Sequence, residues 1–240
     1  MNANKHIKVL EKINKYLSHK VKLPALGHYR SFNDEDLWIE IVIQFCVMGG
    51  ARMVENLIND SSKYSEFKNE IGLNNLSSFK KSDRIGHIAN ILKTFKATRF
   101  HSQQAKKIDA LFNNPKVIKD GRIVLLGGLS HTQPFNEIRD KLIDRNPYFK
   151  LKSASDFMIK VGLSHDVIAL DTRIVGVLNN YFGLNLNVNR VQSNKIAYES
   201  IERLFRDACK KIKIPLAHLD RILFKFSGKN AIAFILEDLE

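Results

Sequence analysis

Apolar residues recur at helical spacing along most of this chain, while the alternation that a half-buried strand requires is nearly absent. In "DEDLWIEIVIQFCVMGGARMVENLIND", Asp34 to Asp60, the carboxylates stand where a helix N-terminus favours negative charge, and Leu37, Ile41, Phe45 and Met48 fall on one face. The Gly49-Gly50 pair breaks the pattern before a second amphipathic stretch, so the spacing predicts helix, turn, helix. Only "RIVLLGG" reads as a strand, and a helix or a buried loop accounts for it equally well. The pattern therefore predicts an all-α fold of helices with short connections.

The remaining segments extend that reading. A helix is expected around Asp83 to Phe95, and another over "HSQQAKKIDALFNN", ending at the turn Asn113-Asn114-Pro115. "PFNEIRDKLIDRNPYFKLKSASDFMIKVG" predicts two helices around a turn at Asn146-Pro147, the second starting near Lys152 and stopping at Gly162. A further helix begins at Asp171. A long one then carries Ile201, Leu204 and Phe205 on one stripe, and Pro215 breaks the chain before the last helix. With no internal repeat, low-complexity linker or long charge block, one compact unit of two lobes is expected.

Composition narrows the classes of function. At 240 residues and 44% apolar, the chain is large enough to bury a core without disulfides. Cys46 and Cys209 are far apart inside apolar helical patterns, which predicts buried thiols in a reducing compartment and no metal-ligand spacing. No apolar run is long enough to span a bilayer, and the amphipathic "MNANKHIKVLEKINKYLSHKVK" lacks the apolar core and cleavage site of a signal peptide, so a soluble cytoplasmic protein is expected. Lys and Arg number 38 against 25 acids, a formal charge of +13, which attracts polyanions: nucleic acid first, an anionic membrane surface second. No P-loop, dinucleotide fingerprint or metal-ligand cluster is present.

Lys152 and Asp171 are the candidate pair for chemistry. A helix from Lys152 to Gly162 runs about 15 Å, and the eight residues that follow span up to about 26 Å when extended. The chain can therefore return and set Asp171 beside Lys152, with two helix N-termini facing one space. A helix N-terminus disfavours an ammonium and favours a carboxylate, the forms that a nucleophilic amine and its electrostatic partner need. A neighbouring carboxylate acts the opposite way on the amine. A capping aspartate and a solvated lysine explain the same residues without chemistry.

The arrangement "RDKLIDRNPYFKLKSASDFMIKVGLSHDVIALDTRI" resembles the helix-hairpin-helix DNA glycosylase/lyase superfamily, and within it the second class of 8-oxoguanine DNA glycosylases of archaea and bacteria. Lys152 with "SASDF" is similar to that family's catalytic-lysine segment, and Asp171 in "VIALDTR" to its aspartate. "DEDLWIEIVIQFCVMGGARM", "ATRFHSQQAKKIDAL" and "YESIERLFRDACKKIKIPLAHLDRILFKFSG" extend the likeness over most of the chain after about residue 30. The resemblance implies a hairpin-bearing lobe at 30–160, a second lobe built from 1–29 and 161–240, and an active site in the cleft between them. It implies a bifunctional glycosylase/AP lyase that flips a damaged purine, 8-oxoguanine, out of double-stranded DNA. Lys152 would attack the anomeric carbon, Asp171 would stabilise the developing sugar cation, and a Schiff base would permit strand cleavage. A monomer without cofactor is implied, and two cysteines are too few for the iron–sulfur cluster of some relatives.

The sequence departs from the family pattern in the hairpin, where the usual Gly-x-Gly is replaced by Tyr148 and Lys150. DNA contacts are therefore assigned to Tyr148, Phe149, Lys150 and Ser153 in the hairpin, to His131 on its approach, and to Arg173, which stands where histidine is expected. Lys150 would supply a phosphate contact through its side chain. Tyr148 and Phe149 serve equally as packing residues, and Lys150 is the alternative nucleophile. Gln44, Met48 and Phe224 are the candidate base-pocket residues, with core packing as their alternative. A glycosylase for another modified base and a noncatalytic DNA-binding protein are the competing functions.

Overall fold

The computed structural model describes residues 3–48, 50–227 and 231–236. Fourteen α-helices occur among them: α1 (Ala3–Leu17), α2 (Asp34–Val47), α3 (Ala51–Asn59), α4 (Ser61–Ile71), α5 (Leu73–Ser77), α6 (Lys81–Thr94), α7 (His101–Phe112), α8 (Phe135–Arg145), α9 (Leu151–Lys160), α10 (Thr172–Phe182), α11 (Val188–Ser193), α12 (Lys195–Lys211), α13 (Leu216–Phe226) and α14 (Ala231–Leu236). None of the described helices is long and apolar enough to cross a membrane. The sole sheet among the described residues is a two-stranded antiparallel ribbon, β1 (Ile118–Lys119) and β2 (Arg122–Ile123). The β-like "RIVLLGG" thus supplies only two strand residues before it turns.

The chain forms two compact units. One comprises 1–28, 130–143 and 149–240, and the other 29–129 and 144–148. The expected boundary at residue 160 is therefore corrected: most of α8 and all of α9 group with the chain ends, where Leu151 of α9 joins the apolar core and Asp156 is held by Arg221 of α13.

In the unit of 29–129 and 144–148, α2 is buried on nearly every side, from Leu37 through Cys46 apart from half-buried Glu40. It is a central helix rather than the one-faced helix that the spacing suggested. Met48, expected on its buried face, lies past the last helical residue and is 39% exposed. Asn33 caps α2 by accepting the Asp36 N–H, and Trp38 donates to the Ile71 carbonyl at 2.9 Å. Glu35 caps α5 by accepting the N–H groups of Leu73 and Asn74. Gly50 precedes α3 at φ +151; the other half of the predicted glycine break, Gly49, lies outside the described residues.

In the unit formed by the chain ends, α1, α10, α12 and α13 converge on one apolar core that includes Leu10, Ile13, Ile174, Leu178, Tyr198, Phe205, Leu219 and Leu223. Leu204, predicted on the same stripe as Ile201 and Phe205, is 37% exposed. Helix α9 ends as read from the sequence. Gly162 adopts φ +70, and the Leu163 N–H closes back onto the Met158 carbonyl at 2.8 Å. Its carbonyl accepts the Gly27 N–H at 2.8 Å, tying the N-terminal segment to the end of α9.

A Cβ at Gly162 would collide with the Ala25 carbonyl oxygen and approach His28 Cβ to 3.0 Å. Gly162→Ala should therefore destabilise the protein by about 2–4 kcal/mol, combining the left-handed backbone cost with overpacking. Thermal melting against the wild type checks this, and an unchanged Tm would contradict it.

Candidate functional site

The site is built where α9, the return loop and α13 meet. Lys150 is the extended residue before α9, and its N–H donates to Ser153 Oγ at 2.9 Å while that hydroxyl donates back to the Lys150 carbonyl. This closes the first turn and sets Lys152 as its second residue, with its side chain 19% exposed. Ser153 is buried and its hydroxyl is engaged in this cap, so the assignment of Ser153 to DNA contact is corrected to a capping role.

The return loop 163–170 is buried over 167–170 without belonging to any sheet. Its peptide groups would be costly to bury unpaired. Side chains satisfy them instead. Ile168 N–H donates to Glu202 Oε1, its carbonyl accepts from Tyr198 Oη at 2.6 Å, and Leu170 N–H donates to that same hydroxyl at 3.2 Å. Ala169 N–H donates to Asp220 Oδ1 at 2.6 Å, and the Leu170 carbonyl accepts from Gln192. Glu202, fully buried, is held by Arg139 Nη1 at 2.9 and 3.1 Å. Burial works to lower the Arg139 pKa, but the Glu202 carboxylate outweighs it and the net shift is upward.

This loop delivers Asp171 as the N-cap of α10, where Oδ1 accepts the Ile174 N–H at 2.8 Å. The return brings Asp171 close enough to Lys152 for the lysine's charge to act on its carboxylate. The expected lowering of Asp171 by the helix terminus does operate, but burial outweighs it and raises the pKa, with the Ile174 N–H and Lys152 opposing.

Three acidic and basic groups that sequence reasoning missed complete the cluster. Lys152 Nζ lies 3.7 Å from Asp156 Oδ2, one helical turn along α9. Arg221 of α13 donates to Asp156 Oδ1 at 2.8 Å and to the Asp156 carbonyl at 3.3 Å. Burial works to raise the Asp156 pKa, yet Arg221 and Lys152 together hold it well below the usual carboxylate range. Asp220 Oδ2 lies 3.4 Å from Arg221 Nη1 without a directed hydrogen bond. Burial pushes Asp220 up to about 7, Arg221 opposing. The spacing of four between Lys152 and Asp156 was a readable signal; the arrival of α13 was not.

Other predicted residues fall into distinct settings. Arg173, on the first turn of α10, places its guanidinium 4.6 Å over the half-buried ring of Phe224. Phe149 is fully buried, with its ring centroid 5.3 Å from that of Phe157, so its assignment to DNA contact is corrected to core packing. His131 sets its ring against Gly27. Lys150 is exposed. In the other unit Tyr148 packs edge-on against Phe45, with centroids 5.8 Å apart, and Gln44 is 2% exposed with Oε1 unpaired among the described residues. Cys46 and Cys209 are buried, and neither forms a disulfide. Among the described residues, no three His, Cys, Asp or Glu side chains cluster to hold a metal.

Known proteins resemble this chain over nearly its whole length. A model of the 8-oxoguanine DNA glycosylase family matches residues 27–214. A protein of Fusobacterium nucleatum named 8-oxoguanine DNA glycosylase/AP lyase is 24% identical over 230 residues, covering 93% of this chain and 96% of its own. The crystal structure of a Methanocaldococcus jannaschii 8-oxoguanine glycosylase/lyase, in complex with a 15mer DNA containing 8-oxoguanine, superposes with a TM-score of 0.62 at 16% identity, covering 93% of this chain and 97% of that one.

Asp220 generates a stability prediction. In the unfolded chain it ionises near its ordinary 3.8, whereas in the fold it stays neutral up to about 7. Its contribution is fully present below about pH 4 and is lost as pH rises through about 7. Asp220→Asn keeps an oxygen for the Ala169 N–H and carries no charge. The Tm of the variant relative to wild type should therefore climb between about pH 4 and 8; a constant difference would contradict the assignment.

Proposed function

Given that this chain belongs to the 8-oxoguanine DNA glycosylase family and is a DNA glycosylase/AP lyase, we propose that it excises 8-oxoguanine from duplex DNA with Lys152 as nucleophile and Asp171 as electrostatic partner. The observation that carries this reading is the half-buried amine of Lys152 at the head of α9, within electrostatic range of a carboxylate delivered by a rigidly held loop.

The chemistry follows from those two groups. The amine nitrogen attacks C1′ of the damaged nucleotide while the glycosidic bond breaks and its electron pair leaves with the base. Positive charge develops on the sugar during departure, and the Asp171 carboxylate stabilises it more than it stabilises the neutral ground state. The covalent amine then opens the sugar to an iminium. Loss of a C2′ proton expels the 3′-phosphate and cuts the strand. Deprotonation of Lys152 is a requirement of the first step, and ionised Asp171 a requirement of the same transition state.

Phe224 offers an aromatic face for a flipped base, and Arg173 stacked on that ring contributes positive charge near the phosphates. Lys150, exposed at the hairpin, supplies a phosphate contact. Tyr148, which packs on Phe45, and His131, set against Gly27, take part through the shape of the hairpin and its approach. Met48, exposed at the end of α2, and Gln44 remain the base-contacting candidates of their unit. The enzyme acts as a monomer on chromosomal DNA in the cytoplasm, and the net charge of +13 favours that encounter.

Borohydride trapping on duplexes with 8-oxoguanine opposite each normal base tests the reading. Wild type should form a covalent adduct and Lys152→Gln should lose it, with base release falling by about a thousandfold or more. An adduct that survives in Lys152→Gln would overturn the assignment of the nucleophile. Preference for an alkylated or another oxidised base in the same panel would overturn the substrate.

A further inference from the structure

Two cations share one carboxylate beside the nucleophile. Asp156 Oδ2 is 3.7 Å from Lys152 Nζ, while its Oδ1 receives Arg221 Nη1 at 2.8 Å. The two contacts differ in kind. The arginine distance is that of a charge-assisted hydrogen bond, and the lysine distance is too long for one. Arg221 also donates to the Asp156 carbonyl, so it grips both the side chain and the backbone of this turn of α9. Its guanidinium is 3.4 Å from Asp220 as well, and the Asp156 side chain is only 14% exposed.

Resting on the reading of Lys152 as the nucleophile, we infer that Arg221 and Asp156 are positioning residues that tune it. Asp156 orients the amine, and Arg221 claims that carboxylate so that it does not trap Lys152 as an ammonium.

A carboxylate facing Lys152 alone would favour the charged amine, which cannot attack. A guanidinium remains protonated under any condition the enzyme meets, whereas an ammonium can give up its proton. Where both share one anion, the lysine yields. The other charged groups that act on this cluster of side chains divide by sign. Lys160 of α9 and Arg173 of α10 add positive charge, Asp171 adds a negative one, and Asp220 of α13 ionises only near neutral pH. Because no tight hydrogen bond ties Nζ to Asp156, the amine is also free to swing toward a sugar without breaking one.

The test is the pH dependence of single-turnover base release and of borohydride trapping, on 8-oxoguanine duplex, for Arg221→Gln, Arg221→Lys, Asp156→Asn and the double variant Asp156→Asn/Arg221→Gln. Arg221→Gln should move the acidic limb upward by about one pH unit, a rate roughly tenfold lower at any pH below it. Asp156→Asn should move the limb downward, Arg221→Lys should lie between wild type and Arg221→Gln, and the double variant should return toward wild type. If the single variants lower the rate by one factor at every pH and leave the limb in place, the pair is structural and the inference is overturned. Should Arg221→Gln fail to fold by circular dichroism, the near-isosteric Asp156→Asn and the charge-keeping Arg221→Lys decide. Trapping that persists in Lys152→Gln would instead defeat the choice of nucleophile, an outcome read separately.

Discussion

The site depends on burying a stretch of chain that has no secondary structure. Residues 167–170 run through the interior of their unit, and five peptide groups of 168–170, the N–H and carbonyl of Ile168, the N–H of Ala169 and the N–H and carbonyl of Leu170, are met by side chains from α11, α12 and α13. The arrangement is possible because Tyr198 Oη donates to one carbonyl and accepts from an N–H two residues later. It also needs Glu202 in the interior, which is tolerable only because Arg139 neutralises it there. Removing either partner of that pair would leave an uncompensated charge beneath the loop that delivers Asp171.

A loop held this way is stiff, and stiffness suits the role proposed for Asp171. An electrostatic partner lowers a barrier in proportion to how little it must reorganise as charge appears. Asp171 is fixed from ahead by its cap onto the Ile174 N–H and from behind by the loop. Lys152 is fixed differently, through the closed first turn of α9 and a longer contact with Asp156. In the proposed mechanism one group is rigid and the other retains reach, as a covalent step followed by sugar opening requires.

The charges fit the same logic. A cluster with two ionised carboxylates and several cations would be unstable in a low-dielectric interior unless each anion had a cation beside it. Asp156 has Arg221, whereas Asp220 lowers the cost by staying protonated until about neutral pH. The general excess of positive charge recruits polyanionic DNA. The local cluster would, on the proposed mechanism, deal instead with protons and a single developing cation, two tasks that distance keeps separate.

Helical periodicity made the fold class, the α9 stop at Gly162, the Asp171 cap and the break at Pro215 legible from local pattern, because caps, glycine turns and amphipathic stripes act over only a few residues. The Lys152 segment and Asp171 were legible for the same reason, their family likeness residing in short contiguous motifs. Phe149 stayed open between DNA and core, and the burial of Ser153 in a cap was not legible, because an aromatic ring and a hydroxyl in a hairpin look alike whether they face DNA or the core. Tertiary structure alone decided that α9 joins the chain ends and that Arg221 arrives beside Asp156. It alone decided that side chains more than twenty residues away pair the loop before Asp171. The physical reason is that a local pattern records which face of a segment is apolar, whereas which buried polar group meets which partner depends on segments that sequence separation keeps apart.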